Sequence, residues 1–125
     1  MYSEALRDHF ERPRNAGKLP DAELVGKDGT PGQGNYMVLH VKVRDDRVEE
    51  ARFQTYGCPA AIASGSWVTQ WILGKTLGEA AALEAGAVIH GLGGLPVGRE
   101  HCAHLAVNAL RDALTQHDVV ADEES

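Results

Sequence analysis

A chain of 125 residues, 43% hydrophobic and 24% charged, has the length and balance for one domain with a real core. Its formal net charge of −6 argues against a nucleic-acid-binding surface, which would need a basic patch. No run approaches the ~18 apolar residues of a membrane span and the N-terminus lacks a signal-peptide core, so a cytoplasmic protein without membrane contact is the expectation.

Taken in chain order, Tyr2, Leu6 and Phe10 recur at helical spacing, predicting a short amphipathic helix from Ser3 to about Glu11. Ser3 can cap it and Pro13 stops it; being short, it must dock on the rest of the domain. The segment from Arg14 to Lys27, with Gly17, Pro20 and Gly26, reads as irregular. Asp28 to Asn35 packs three glycines and a proline into eight residues, the composition of a loop with unusual backbone angles. It lacks both the lysine of a P-loop and a GxGxxG run, so it is either a structural turn or a loop that carries short polar side chains to a site.

From Tyr36 to Arg44 the pattern alternates, with Met37, Leu39, Val41 and Val43 on one face. Asp45-Asp46 makes a turn, and Val48 to Tyr56 returns with Ala51 and Phe53 inward: a tight antiparallel hairpin. His40 falls on the polar face and reads as solvated. The return strand runs into Gly57-Cys58-Pro59. Pro59 suits the first position of a helix, since its φ is preset and its missing N–H would have no partner there. Cys58 is then the N-cap, where free amides and the helix dipole favour a thiolate.

The helix after Cys58 carries Ser64, Gly65 and Ser66, which suggests close backbone packing, and Gly74 fits its end. Thr76-Leu77-Gly78-Glu79 is a capping box opening a helix to about Glu84, broken by Gly86. The last helix begins near Arg99-Glu100-His101-Cys102 and runs to about Gln116 with Leu105, Ala106, Ala109, Leu110, Ala113 and Leu114 as its apolar stripe; Glu100 suits its first turn. Residues 118–125 read as a frayed acidic tail.

In a reducing compartment two cysteines are free thiols or metal ligands more readily than a disulfide. Here both fall at predicted helix starts, with His101 beside Cys102. Thiolates and an imidazole suit zinc or an iron–sulfur cluster, so Cys58, His101 and Cys102 are the candidate metal ligands. His104 can share a face with His101 and reads as half-buried structure or an extra ligand. A catalytic Cys–His dyad would have to join His101 to Cys58, because adjacent helical residues splay apart. No nucleophile motif or orienting acid accompanies it, so the chain is not expected to be an enzyme.

Three stretches carry a family likeness: Tyr2-Ser3-Glu4 with Asp8-His9-Phe10-Glu11-Arg12-Pro13-Arg14-Asn15-Ala16-Gly17; Ala51 to Cys58 followed by Ala61-Ile62-Ala63-Ser64; and Leu95-Pro96 with His101-Cys102. Over nearly its whole length the chain resembles the U-type iron–sulfur cluster assembly scaffolds (IscU, SufU and the N-terminal domain of NifU). That resemblance implies one α+β domain spanning 1–125, an antiparallel sheet of about three strands with helices packed on one side. It implies assembly of a [2Fe–2S] cluster from iron and persulfide sulfur, a cysteine desulfurase as sulfur donor and apo-proteins as acceptors, with zinc as an alternative occupant. Cys58 matches the family's second cysteine, Cys102 the third and His101 the histidine before it.

The family's Pro-x-Cys-Gly-Asp stands here as Pro31-Gly32-Gln33-Gly34-Asn35. Gln33 replaces the first cysteine and Asn35 the aspartate, which removes two anions, makes Cys58 and Cys102 less mutually repulsive as thiolates and leaves neutral amides that ligate iron or zinc poorly. Leu95-Pro96-Val97-Gly98-Arg99 departs from the Leu-Pro-Pro-Val-Lys of the IscU branch, which argues against docking of an Hsp70-type chaperone. The expected function is therefore that of a divergent U-type protein with a reduced ligand set. The alternatives are an adaptor that docks on a desulfurase without building clusters, and a persulfide carrier with Cys102 as sulfur acceptor.

Overall fold

The computed structural model describes residues 2–30, 32 and 34–115. Helix α1 (Glu4–Glu11) precedes three strands, β1 (Leu24–Asp28), β2 (Tyr36–Arg44) and β3 (Arg47–Tyr56). Helices α2 (Pro59–Ile72), α3 (Leu77–Ala81), α4 (Ala85–Gly91) and α5 (His101–Thr115) follow. The strands form one antiparallel sheet in the order β1-β2-β3. Met37, Leu39, Val41, Ala51 and Phe53 turn inward from the sheet, where α2 and α5 pack against it. The expected α+β architecture is the one observed.

Local signals act as their chemistry requires. The Ser3 side chain caps α1, accepting the Leu6 amide at 3.0 Å, and its hydroxyl also donates to the Leu92 carbonyl, which ties the helix start to the end of α4. Asp45 and Asp46 make the hairpin turn with φ of 54° and 64°, the left-handed region that suits a tight turn between twisted strands. Thr76 and Glu79 close both halves of the capping box. Gly74, at φ 81°, follows the end of α2.

The segment expected to be irregular contains β1. Gly26 hides the strand's alternation, and the structure shows why a glycine stands there. A Cβ on it would lie 2.2 Å from the Ala109 carbonyl oxygen and the Ala113 amide nitrogen, so the α5 backbone crosses where a side chain would be. Val43, expected in the core, is only half-buried, because the β2–β3 register shifts between Lys42 and Val43. His40 is half-buried rather than solvated, with Nε2 2.9 Å from Gln54 Oε1.

Gly86 does not break a helix. The third helix ends at Ala81, and Gly86 is the second residue of α4, where nothing crowds it. Glu100 lies just before α5 and accepts the Gly98 amide at 3.1 Å. The close packing expected at Ser64-Gly65-Ser66 is real but runs against a ring: a Cβ on Gly65 would meet Phe53 at 2.5 Å. Ser66 receives the Arg14 amide at 2.9 Å and lies 2.7 Å from His9 Nδ1, so α1 is pinned to α2 by a buried polar contact. Gln33, Gln116 and the acidic tail at 118–125 lie outside the described residues.

Candidate metal and sulfur site

Three element ends meet at one end of the sheet: the start of β2, the β3–α2 corner and the start of α5. Gly29, at φ 87°, lets the β1–β2 connection fold on itself; a Cβ there would lie 2.4 Å from the Asn35 carbonyl oxygen. That closure brings Asn35 to the corner. Gly57 leaves room for it, since a Cβ on Gly57 would be 2.8 Å from Asn35 Oδ1. Cys58 is the N-cap of α2 with extended backbone (φ −79°, ψ 174°), and Pro59 is the first helical residue, as the sequence predicts.

The two thiols meet. Cys58 Sγ lies 3.5 Å from Cys102 Sγ, though 44 residues separate them in the chain. Asn35 Nδ2 donates to Cys102 Sγ at 3.8 Å and lies 3.4 Å from His101 Nε2. His101 does not splay away from its neighbour, because its Nε2 is 3.7 Å from Cys102 Sγ. His104 is exposed rather than half-buried and makes no hydrogen bond to either thiol.

The sulfurs differ in surroundings. Cys58 is half-buried while Cys102 has no exposed surface. Burial alone would raise the Cys58 thiol, but the Ala61 amide, the Cys102 thiol, the Ala60 amide and the Arg99 charge together hold it below its ordinary value. The thiol forms no full capping hydrogen bond, so the amides act as an oriented positive end rather than a strict partner. Cys102 is pushed up to about 12, first by burial and then by donating its proton to Cys58 and by the Cys58 charge; Arg99 and Asn35 only partly offset this. Of the two thiols, Cys58 is therefore the one that gives up its proton first. At 3.5 Å each sulfur influences the titration of the other.

As a metal site the arrangement is partial. Two sulfurs bound to one tetrahedral ion at ~2.3 Å stand ~3.8 Å apart, close to the spacing here. Among the described residues, however, no group of three or more Cys, His, Asp or Glu side chains is arranged to hold a metal ion. Arg99 is the site residue that sequence reasoning passed over. Its signal was a cation three positions before Cys102, read there only as part of the Leu95–Arg99 segment. Tyr36 stacks on Tyr56 at 6.3 Å, and both side chains follow or precede site residues closely in sequence.

The chain as a whole is matched in known proteins. The chain belongs to the NifU-like N-terminal domain family, which it matches over residues 1–122. It is 47% identical over 117 residues to the iron–sulfur cluster assembly scaffold protein IscU 1 of Archaeoglobus fulgidus, covering 94% of this chain and 76% of that one. It is 43% identical over 120 residues to IscU of Escherichia coli K12, covering 93% of each. In fold it is similar to the crystal structure of a nitrogen-fixing NifU-like protein (N-terminal) from Brucella abortus. There the TM-score is 0.70 at 18% identity, over 98% of this chain and 95% of the other. No helix among the described residues is long and apolar enough to cross a membrane.

Proposed function

We propose that this chain is a divergent U-type iron–sulfur cluster assembly protein that handles iron, a [2Fe–2S] cluster or zinc as cargo through a reduced ligand set. Cys58 and Cys102 are its sulfur donors, and His101, with Nε2 3.7 Å from Cys102 Sγ, is the candidate third, brought into line by the cargo since the side chains alone are not arranged as a three-ligand site. The 3.5 Å approach of the two sulfurs, in a family whose relatives are named as assembly scaffolds, is the observation that carries this reading. A [2Fe–2S] cluster takes four ligands, so at least one more comes from water, a thiol cofactor, a second subunit or a rotated His104. Asn35, neutral and hydrogen-bonded to Cys102, contributes shape rather than charge.

A cysteine desulfurase is the sulfur donor this reading implies, and apo-proteins are the acceptors. Cys102 is the sulfur acceptor expected from the sequence, and Cys58, half-buried and 3.5 Å from it, is the more reachable thiol through which sulfur can arrive. The test is anaerobic reconstitution with iron and sulfide, read by visible absorption and by metal and sulfide content. Colour and retained iron that depend on Cys58 and Cys102 are the expected result. Protein that stays colourless and holds neither iron nor zinc would sink the proposal.

A further inference from the structure

The Cys58–Cys102 pair has the layout of a thiol that receives and a thiol that resolves. Cys58 stands half-buried at the mouth of the corner, while Cys102 is fully buried behind it with its sulfur 3.5 Å away. A disulfide needs the sulfurs at ~2.05 Å, about 1.5 Å closer than they stand here. Only two cysteines exist in the chain, so no third thiol can divert the exchange.

We propose that Cys58 is a modification site for low-molecular-weight disulfides and that Cys102 resolves the product into an intrachain disulfide. In the first step the Cys58 sulfur attacks a disulfide R–S–S–R. The Cys58 proton goes to solvent as the thiolate attacks, a bond forms between Cys58 Sγ and one sulfur of the disulfide, the S–S bond of R–S–S–R breaks, and RS⁻ leaves to take a proton from solvent as RSH. In the second step Cys102 attacks Cys58 Sγ. The Cys58–Cys102 bond forms and a second RSH leaves with the Cys102 proton. The two protein thiols are oxidised by two electrons, and the small disulfide is reduced to two thiols.

The order is set by access. Cys102 has no exposed surface for a bulky disulfide to approach, whereas it needs only to reach its neighbour to resolve the adduct. The consequence rests on the functional reading above. Closure removes both thiol ligands at once, so cargo binding and the disulfide exclude one another.

The test uses the whole reduced chain, free of metal, in glutathione buffers of rising glutathione disulfide, quenched with acid and mapped by non-reducing peptide mass spectrometry. The wild type is expected to accumulate the Cys58–Cys102 disulfide with little mixed disulfide. Cys102→Ser should stall with glutathione on Cys58, the adduct lasting more than about tenfold longer than in the wild type, and Cys58→Ser should stay unmodified. A wild type that keeps glutathione on Cys58, or remains a dithiol where the buffer is fully oxidised, overturns the proposal. So does a Cys58→Ser chain that takes glutathione on Cys102 as fast as the wild type reacts. The wild-type arm stands even where a variant fails to fold. No metal is present, so the result is separate from the reconstitution test of cargo binding.

Discussion

At the scale of single residues, the site separates two cysteines that share a local setting. Both stand in the first turn of a helix or at its cap, yet only Cys58 keeps the benefit of its amides; Cys102 is dominated by burial and by the charge of Cys58. Thiolate is the reactive form, so reactivity follows each sulfur's titration. Iodoacetamide at about pH 8 should therefore label Cys58 and spare Cys102, with Cys58 labelling rising as pH climbs toward the ordinary thiol value of 9.0. Peptide mapping after brief alkylation checks this, and equal labelling of both sulfurs would contradict the assignment. Asn35 fits the same picture, since it donates to Cys102 while adding no charge beside it.

At the scale of elements, two contacts position the site. The α5 backbone crosses β1 at Gly26, and that crossing seats against the sheet the helix that carries Cys102. Gly26→Ala puts a methyl group into rigid backbone, so it should cost about 1–3 kcal/mol or more in chemical denaturation, despite alanine's lower conformational entropy. Helix α1 is held by His9, whose Nδ1 is 2.7 Å from Ser66 Oγ. Burial, and then the Arg14 charge, lower the His9 pKa below 6.5, with Asp8 only partly opposing them. The folded state thus binds fewer protons than the unfolded one below that value. Stability is full above about pH 6.5 and falls as pH drops below it, by at most about 1.4 kcal/mol per pH step. His9→Asn should flatten this slope in melts between about pH 7 and pH 5, and an unchanged slope would remove His9 from the account.

At the scale of the whole molecule, the site exists only when the sheet and α5 are assembled, because its parts come from Asn35, Cys58 and His101-Cys102. Anything that binds both thiols must then favour the folded state by mass action. With zinc at about 100 times its dissociation constant the gain is about 2.7 kcal/mol, a rise on the order of 10 °C in Tm for a domain of this size. The wild type should show that rise in calorimetry and Cys102→Ser should lose most of it. A wild type whose Tm ignores zinc would mean the two sulfurs do not share an ion.

Much of this architecture is written in short stretches. The Ser3 cap, the Asp45-Asp46 turn, the Cys58-Pro59 helix start and the Thr76–Glu79 capping box are readable because each is decided within a few residues. The alternation of β2 and β3 is equally local. Tertiary structure decided the rest. Gly26 concealed β1 because its reason is the α5 backbone lying against it. Gly86 misled because an exposed second helical position tolerates glycine. The likeness of the two helix starts pointed to two similar thiols, but a sequence carries no measure of how much core will cover each one. Only packing sets Cys102 fully buried 3.5 Å from a half-buried Cys58, and burial first, then that neighbouring sulfur, holds the Cys102 proton in place.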